Sequence, residues 1–428
     1  MFISLKIKNF RSIRESVMID MTGINRKSFA EDHPGNVIEF NGDYFLKSLI
    51  LYGRNASGKS NILKAFTAIG NLVNQSDKLK HEQKIPAYEP YLFDKKYINE
   101  PVEFEIIFTD RINIKFKFEV KYTANKIKYE SLYFYPKGSI AKLYEREGDE
   151  FTFGDYYTGD KKSIQSNLLK NQLFLSKSAQ SNIPYLKEAF LFFSQDFFAS
   201  TIHDSEYDQH LVQILSEDML KDVEAMENVK CLLKAADTNI VDISVNKKSP
   251  SEFKLPNNIP EEIRKNIIER FRYEVKTKHT LFDSDKVIGE ESLNIENESL
   301  GTRKLLAVSL LILSTLSEGG LIIIDELDKS LHPLLTKMII NLFHSQKNNP
   351  FNAQLIFATH DISLLDNDIF RRDQVYFVDK EYQGNSILYR LSDLKGVRKD
   401  VPYDKWYLSG RFGAIPVIAD VDLQLKRN

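Results

Sequence analysis

Eight consecutive residues carry the clearest chemistry in this sequence: Gly53, Arg54, Asn55, Ala56, Ser57, Gly58, Lys59 and Ser60. The glycines let backbone N–H groups converge on phosphate oxygens at a helix N-terminus. Lys59 supplies positive charge to the terminal phosphates, and the Ser60 hydroxyl can coordinate magnesium. A second piece lies far downstream, where Leu321, Ile322, Ile323 and Ile324 form an apolar run ending in two carboxylates, Asp325 and Glu326. At the C-terminal edge of a buried strand, Asp325 would hold a magnesium shell. Glu326 would orient or deprotonate an attacking water, because phosphoryl transfer depends mostly on positioning and charge neutralisation. Taken singly, the pieces have bland explanations, an incidental Gly/Ser turn and an ordinary strand end, so order and spacing decide between the readings.

The surrounding elements place both pieces where that chemistry requires. Residues 1–20 alternate as a strand does, and Leu46 to Tyr52 reads as a strand running straight into the glycine-rich loop and a helix. From Pro101 to about Phe153, short runs such as Phe104 to Phe108, Ile112 to Val120 and Leu132 to Tyr135 have the rhythm of an antiparallel meander. Residues 156–290 change character, with helical stretches at Tyr185 to Phe193, His210 to Ala235 and Glu261 to Tyr273, broken by Pro184, Pro250, Pro256 and Pro260. Beyond Glu298, helices and strands alternate, which implies a parallel sheet. The expectation is an α/β fold, a mixed sheet with helices, an antiparallel β subdomain and a helical insertion. Its segments would be 1–155, a mainly helical 156–295, 296–400 and a tail at 401–428.

The order of these parts resembles the ABC-type ATPases of the SMC, RecF and OLD-like group. Ile7, Asn9, Phe10, Arg11, Ser12 and Ile13 are similar to the opening strand of those heads, and the chain from Glu298 to Lys304 resembles a degenerate signature motif opening a helix. Ser299 and Gly301 match its small polar and glycine positions, while Thr302 stands where many relatives carry glutamine. Leu327 to Pro333 resembles the loop that crosses the dimer interface, with Asp328 at its acidic position. Leu355 to Ala358 reads as a buried strand ending in Thr359 and His360, where the family places its switch histidine. The resemblance implies a P-loop ATPase head using ATP and magnesium. It implies Lys59 and the loop amides on the phosphates, Ser60 and Asp325 on the metal, Glu326 on the water, and His360 as switch. It also implies a homodimer in which Ser299 and Gly301 act in trans. The family's glutamine loop is not recognisable, Gln83 and Tyr91 to Asp94 having only plausible positions. The tail from Tyr407 to Pro416 resembles the ending of small bacterial abortive-infection ATPases, AbiL-like proteins included. Its Gly410 and Gly413 suggest a tight loop, with Arg411 and Phe412 docking on the core or on a partner, packing being the blander role.

Composition narrows the alternatives. With 428 residues, 42% hydrophobic and 28% charged, the chain reads as globular with two structural units, and a net charge of -2 gives no global pull toward nucleic acid or anionic membrane. Cys231, the lone cysteine, reads as a small buried hydrophobe. The strand-like start and the apolar run Leu305 to Leu316, short of the roughly 20 residues that span a bilayer, point to a cytoplasmic protein without a membrane partner. A GTPase would need a guanine-reading carboxylate that Asn246 to Ser249 lacks, and a separation of 265 positions (325 minus 60) between Ser60 and Asp325 suits a split head. The expected role is magnesium-dependent ATP hydrolysis controlling a protein effector in anti-phage defence. The alternatives are a repair or recombination ATPase binding nucleic acid through Lys276, Lys278, Arg398 or Lys399, and a nuclease under ATPase control. The latter would draw on the loose Arg272 and His279 pair, or on acidic clusters at Asp204, Glu206 and Asp208 or at Asp283 and Asp285.

Overall fold

The computed structural model describes residues 1–24, 33–136, 138–200, 212, 213, 216, 217, 220, 222–236, 239–256, 258–398 and 400–416. The chain forms two compact units, a split unit of Phe2–Ser194 with Ile356 onward, and an inserted unit of Gln195–Leu355. These boundaries differ from those drawn on the sequence at 155 and 295. Residues 156–194 belong with the first 155 because the β meander grips them: the Glu130 carboxylate accepts the N–H groups of Phe174 and Leu175, and Phe108 stacks on Phe192 at 4.0 Å.

The split unit begins with β1 (Phe2–Lys8), β2 (Val17–Asp20), β3 (Val37–Phe40), β4 (Asp43–Leu46), β5 (Ser48–Tyr52) and helix α1 (Lys59–Gln75). The meander follows as β6 (Val102–Thr109), β7 (Lys115–Tyr122), β8 (Ile127–Phe134), β9 (Ala141–Glu147) and β10 (Glu150–Phe153). It joins the chain start in a seven-stranded sheet of order β10-β9-β8-β7-β6-β1-β2, with Leu5 opposite Ile106 on one side and Ile19 on the other. Alternation makes the sheet: in β6 and β7 every second residue is buried, presenting Phe104, Ile106, Phe108, Phe116, Phe118 and Val120 to the core. α1 lays Ile62, Phe66, Ile69 and Val73 inward at helical spacing, and Phe66 meets Phe2 of β1 edge to face at 5.3 Å. Three short helices close this stretch, α2 (Lys161–Ser166), α3 (Phe174–Ser178) and α4 (Leu186–Leu191).

The inserted unit contains β11 (Phe197–Ser200), α5 (Val223–Ala235), β12 (Ile240–Lys247), α6 (Glu261–Arg270), β13 (Tyr273–Asp283), β14 (Lys286–Asn294), α7 (Leu300–Glu318), β15 (Leu321–Ile324) and α8 (Pro333–His344). Helices thus occur in all three stretches where the sequence suggested them, but the described residues also hold strands that the helical reading did not include. β12, β13 and β14 form an antiparallel three-stranded sheet. Its signal is period two, with Tyr273, Val275 and Thr277 inward and Glu274, Lys276 and Lys278 outward, and the outward charges mask the strand in the sequence. Cys231 corrects another expectation. The inward face of α5 is set by Val229 and Leu233, four residues apart, so Cys231 between them is exposed. α7 extends the apolar run at both ends. By length and composition it is long enough to cross a membrane, but 61% of its apolar window is buried, as in a core helix. β11 and β15 pair in parallel, placing Ser200 opposite Ile324.

β16 (Gln354–Ala358) carries the chain back into the split unit, which ends with β17 (Val375–Lys380), β18 (Ser386–Arg390) and α9 (Tyr403–Leu408). β16, β5, β17 and β18 lie side by side in that order, with β17 parallel to β5 and β18 antiparallel to β17.

Candidate functional site

β5 is buried over its whole length, and its C-terminal edge delivers the chain into Gly53. At both glycines of the loop a side chain is excluded by what lies beside it. A Cβ on Gly53 would sit 2.2 Å from the Val378 carbonyl oxygen, and one on Gly58, at φ +115°, would sit 2.1 Å from Ser386 Oγ. Gly58 then caps α1, so the unbonded N–H groups and the positive end of that helix face the loop. Lys59 is buried, with its ammonium donating to the Gly53 carbonyl at 2.7 Å and the Arg54 carbonyl at 3.3 Å, inside the curl of the loop. Asn55 and Ala56 are exposed, Ser60 is half-buried, and the buried Ser57 hydroxyl has no hydrogen-bond partner among the described residues.

A hydroxyl network braces the loop from behind. Asn61 donates to Ser12 Oγ at 2.8 Å, the Ser12 and Ser386 hydroxyls lie 2.8 Å apart, and Ser386 Oγ donates to the Ser57 carbonyl at 2.6 Å. Arg54 reaches sideways to the end of β17, its Nη2 donating to the Lys380 carbonyl at 2.8 Å and its Nε lying 3.2 Å from Asp379 Oδ1. His360 is exposed just beyond β16. Its segment is anchored beside the loop's own strand, with Thr359 N–H donating to Leu51 O and the Tyr52 hydroxyl donating to Asp361 O at 3.0 Å.

In the inserted unit, Asp325 follows β15 and is buried to 1% exposure, and Glu326 stands at φ +53°. A left-handed backbone at a non-glycine residue costs about 1–2 kcal/mol and persists where its surroundings fix it. Here the Lys329 N–H donates to the Glu326 carbonyl, and the Lys329 ammonium lies 3.6 Å from Glu326 Oε2. Ser330, at φ +66°, closes the turn, and Asp328 within it has a buried carboxylate oxygen with no hydrogen-bond partner among the described residues. The signature segment packs against this same turn, where a Cβ on Gly301 would come 2.9 Å from the Ser330 carbonyl oxygen. Ser299 caps α7 by accepting the Thr302 N–H at 3.1 Å, and the Thr302 hydroxyl meets Ser299 Oγ at 2.9 Å. Glu298, just before it, is fastened to β13 by the Thr277 hydroxyl at 2.5 Å and by His279 Nε2 at 2.6 Å.

Residues 48–366, well over half of the chain, match the family model described as "AAA domain, putative AbiEii toxin, Type IV TA system". The chain belongs to this family. It therefore carries a nucleotide-binding AAA-type ATPase domain, and the glycine-rich loop and the segments from Glu298 to Ser330 fall within the matched span, whereas Ser12, Asp379 and Ser386 lie outside it. No curated protein matches the sequence. Among solved structures, an SMC head bound to the C-terminal winged-helix domain of ScpA is 13% identical, with a TM-score of 0.49, over 92% of this chain and 99% of that one. The SMC head domain of Thermotoga maritima is 14% identical, with a TM-score of 0.40, over 91% and 98%. A Pyrococcus furiosus SMC head with an extended coiled coil, bound to the C-terminal domain of ScpA, is 12% identical, with a TM-score of 0.43, over 91% and 96%.

The glycine-rich loop has partners that motif reading missed, namely Asn61, Asp379 and Ser386. Of these Asp379 left a trace, as an acidic residue ending an apolar strand beside the one that carries the loop. The tail forms the tight loop its sequence suggested and docks Phe412 on the core, while Arg411 lies over Trp406 of the tail itself. Gly410 and Gly413 both take positive φ, and Phe412 packs on Phe377 at 5.5 Å. The features raised for rival activities are paired or peripheral. Lys276 bonds Glu274 at 2.9 Å and Lys278 approaches Asp242 at 3.3 Å, so this string is not an open basic stripe, while His279 is held by Glu298 and Arg272 lies over Tyr273. Among the described residues no group of three or more His, Cys, Asp or Glu side chains is arranged to hold a metal, Asp283 and Asp285 included. Asp204, Glu206, Asp208 and Lys399 lie outside the described residues.

Proposed function

We propose that this protein binds ATP with magnesium and hydrolyses it as a homodimer, and that its nucleotide state controls a protein effector in bacterial phage defence. The observation that carries the ATP reading is the loop itself: a glycine-enforced curl at the N-terminus of α1 with the Lys59 ammonium folded inside it. The buried, unbonded Ser57 hydroxyl suits a loop that receives phosphate oxygens.

The roles follow from side-chain chemistry. The loop amides and Lys59 hold the terminal phosphates, and His360 stands by as the switch that contacts the last of them. The Ser60 hydroxyl and the Asp325 carboxylate are hard oxygen donors of the kind that holds magnesium together with phosphates. When bound, magnesium neutralises charge on the phosphate oxygens. Glu326 orients the attacking water and accepts its proton, from a backbone position already locked by the Lys329 contacts. Ser299 and Gly301 present the N-terminus of α7 to the nucleotide of a second copy, and Asp328 lies in the turn against which Gly301 packs. The family description, which names an AbiEii toxin and a type IV TA system, supports a defence role over a repair role. The test is steady-state ATP turnover by wild type and Lys59→Ala, with and without magnesium. Turnover that needs both the metal and Lys59 supports the reading, and turnover indifferent to Lys59 contradicts it.

A further inference from the structure

The Asp379 carboxylate serves two masters. Oδ1 faces Arg54 of the phosphate loop at 3.2 Å, while Oδ2 accepts the backbone N–H of Ala414, in the C-terminal tail, at 3.2 Å. Ala414 stands at φ +55°, a conformation alanine keeps only where its surroundings impose it, and the surroundings are specific. The Tyr407 hydroxyl donates to the Ala414 carbonyl at 3.0 Å, and the Tyr389 hydroxyl donates to the Phe412 carbonyl at 2.6 Å. Tyr407 also packs on Tyr52, the residue before Gly53, with ring centroids 5.9 Å apart, and on Phe377 at 5.5 Å. The tail therefore grips the strand that enters the loop and shares the carboxylate that restrains the loop's arginine. Burial, with the Asp379 charge adding, pushes the Tyr389 and Tyr407 hydroxyls up to about 12, so both remain donors at neutral pH.

We propose that Asp379 is a positioning residue that holds Arg54 back from the nucleotide, and that ATP and the seated C-terminal tail reinforce each other through this one carboxylate, for which Arg54 and the tail amide are rival donors. The proposal rests on the ATP reading above. A polyphosphate in the loop draws the guanidinium toward itself, Asp379 loses its cation, and its contact with the Ala414 amide tightens. Linkage makes the effect reciprocal, so a partner that lifts the tail leaves Asp379 wholly to Arg54 and lowers nucleotide affinity.

Trp406, the single tryptophan, lies in the tail beside Arg411 and Phe412 and reports its state. The experiment titrates the full chain with magnesium and a non-hydrolysable ATP analogue, following analogue binding calorimetrically and Trp406 emission in parallel. In wild type the emission changes as the analogue saturates. Asp379→Asn is expected to bind the analogue about two- to fivefold more tightly, the scale set by a half-exposed ion pair, and to lose the emission change. A merely structural role for Asp379 gives weaker binding instead. Tyr389→Phe, which removes only the hydroxyl that holds the tail at Phe412, is expected to bind the analogue more weakly than wild type. Unchanged Trp406 emission in wild type at saturation, or weaker binding by a folded Asp379→Asn, overturns the proposal alone. No analogue binding to wild type overturns the ATP reading, and this proposal with it.

Discussion

The phosphate loop and the signature segment both depend on a glycine pressed against a backbone or hydroxyl oxygen, yet their surroundings differ. The loop is braced on several sides, by Ser12, Asn61 and Ser386 behind it and by Asp379 beside it, with Lys59 buried inside. The signature segment has Gly301 fixed against Ser330, but Ser299, Leu300 and Ser330 around it are exposed. The difference suits the two tasks proposed for them. A cradle for phosphates gains from being preformed, because no reorganisation is left for the moment of binding. An element that acts on a second molecule has to be presented at the surface, and its base is held where Glu298 is bonded to Thr277 and His279.

Substitutions in the two regions break the comparison in different ways. The largest effect is expected at Glu326, where Glu326→Gln lowers turnover by roughly 10²–10⁴-fold while nucleotide binding survives, as loss of a general base does. Rapid turnover by this variant removes Glu326 from that role. Lys59→Ala is expected to reverse the pattern, weakening nucleotide binding by roughly 10²-fold, since a buried charge aimed at phosphate is worth about 2–3 kcal/mol; calorimetry checks it. Gly301→Ala forces its Cβ to within 2.9 Å of a backbone oxygen and displaces the signature segment from its turn. Turnover per dimer should fall by about tenfold with binding by the phosphate loop unchanged; a matching loss of binding would show that the two regions are not separable. The smallest effect concerns the tail. Tyr389 and Tyr407 have folded values raised to about 12, above the ordinary 10, so folding favours their protonated forms. Their contribution is whole below pH 10 and is lost between 10 and about 12, where Trp406 emission should report the tail loosening before global unfolding. Simultaneous loss of the tail and the core would contradict this.

Much of the architecture was legible because its determinants are local. The phosphate loop, the meander and the strand before Asp325 are each fixed by a dozen residues or fewer, whose alternation or glycine spacing has one physical reading. The β12–β14 sheet escaped because its outward faces are rich in lysine and glutamate, which hid a period of two under the composition of a helical surface. Cys231 was misjudged for a related reason: residue type suggested burial, whereas the helical phase set by Val229 and Leu233 decided against it. Asp379 and Ser386 could not be assigned to the loop from sequence, since each meets it only after the chain has returned more than 300 positions later, at β17 and β18. The contact between Gly301 and Ser330 is likewise a product of folding, and no motif records it.

The most direct test of the central claim is the molar mass of Glu326→Gln by light scattering, with and without magnesium and ATP, beside its turnover rate. The expected result is a nucleotide-dependent dimer in a variant that binds ATP and hardly hydrolyses it. A monomer at saturating ATP, with turnover close to wild type, would contradict both the trans role of Ser299 and Gly301 and the assignment of Glu326.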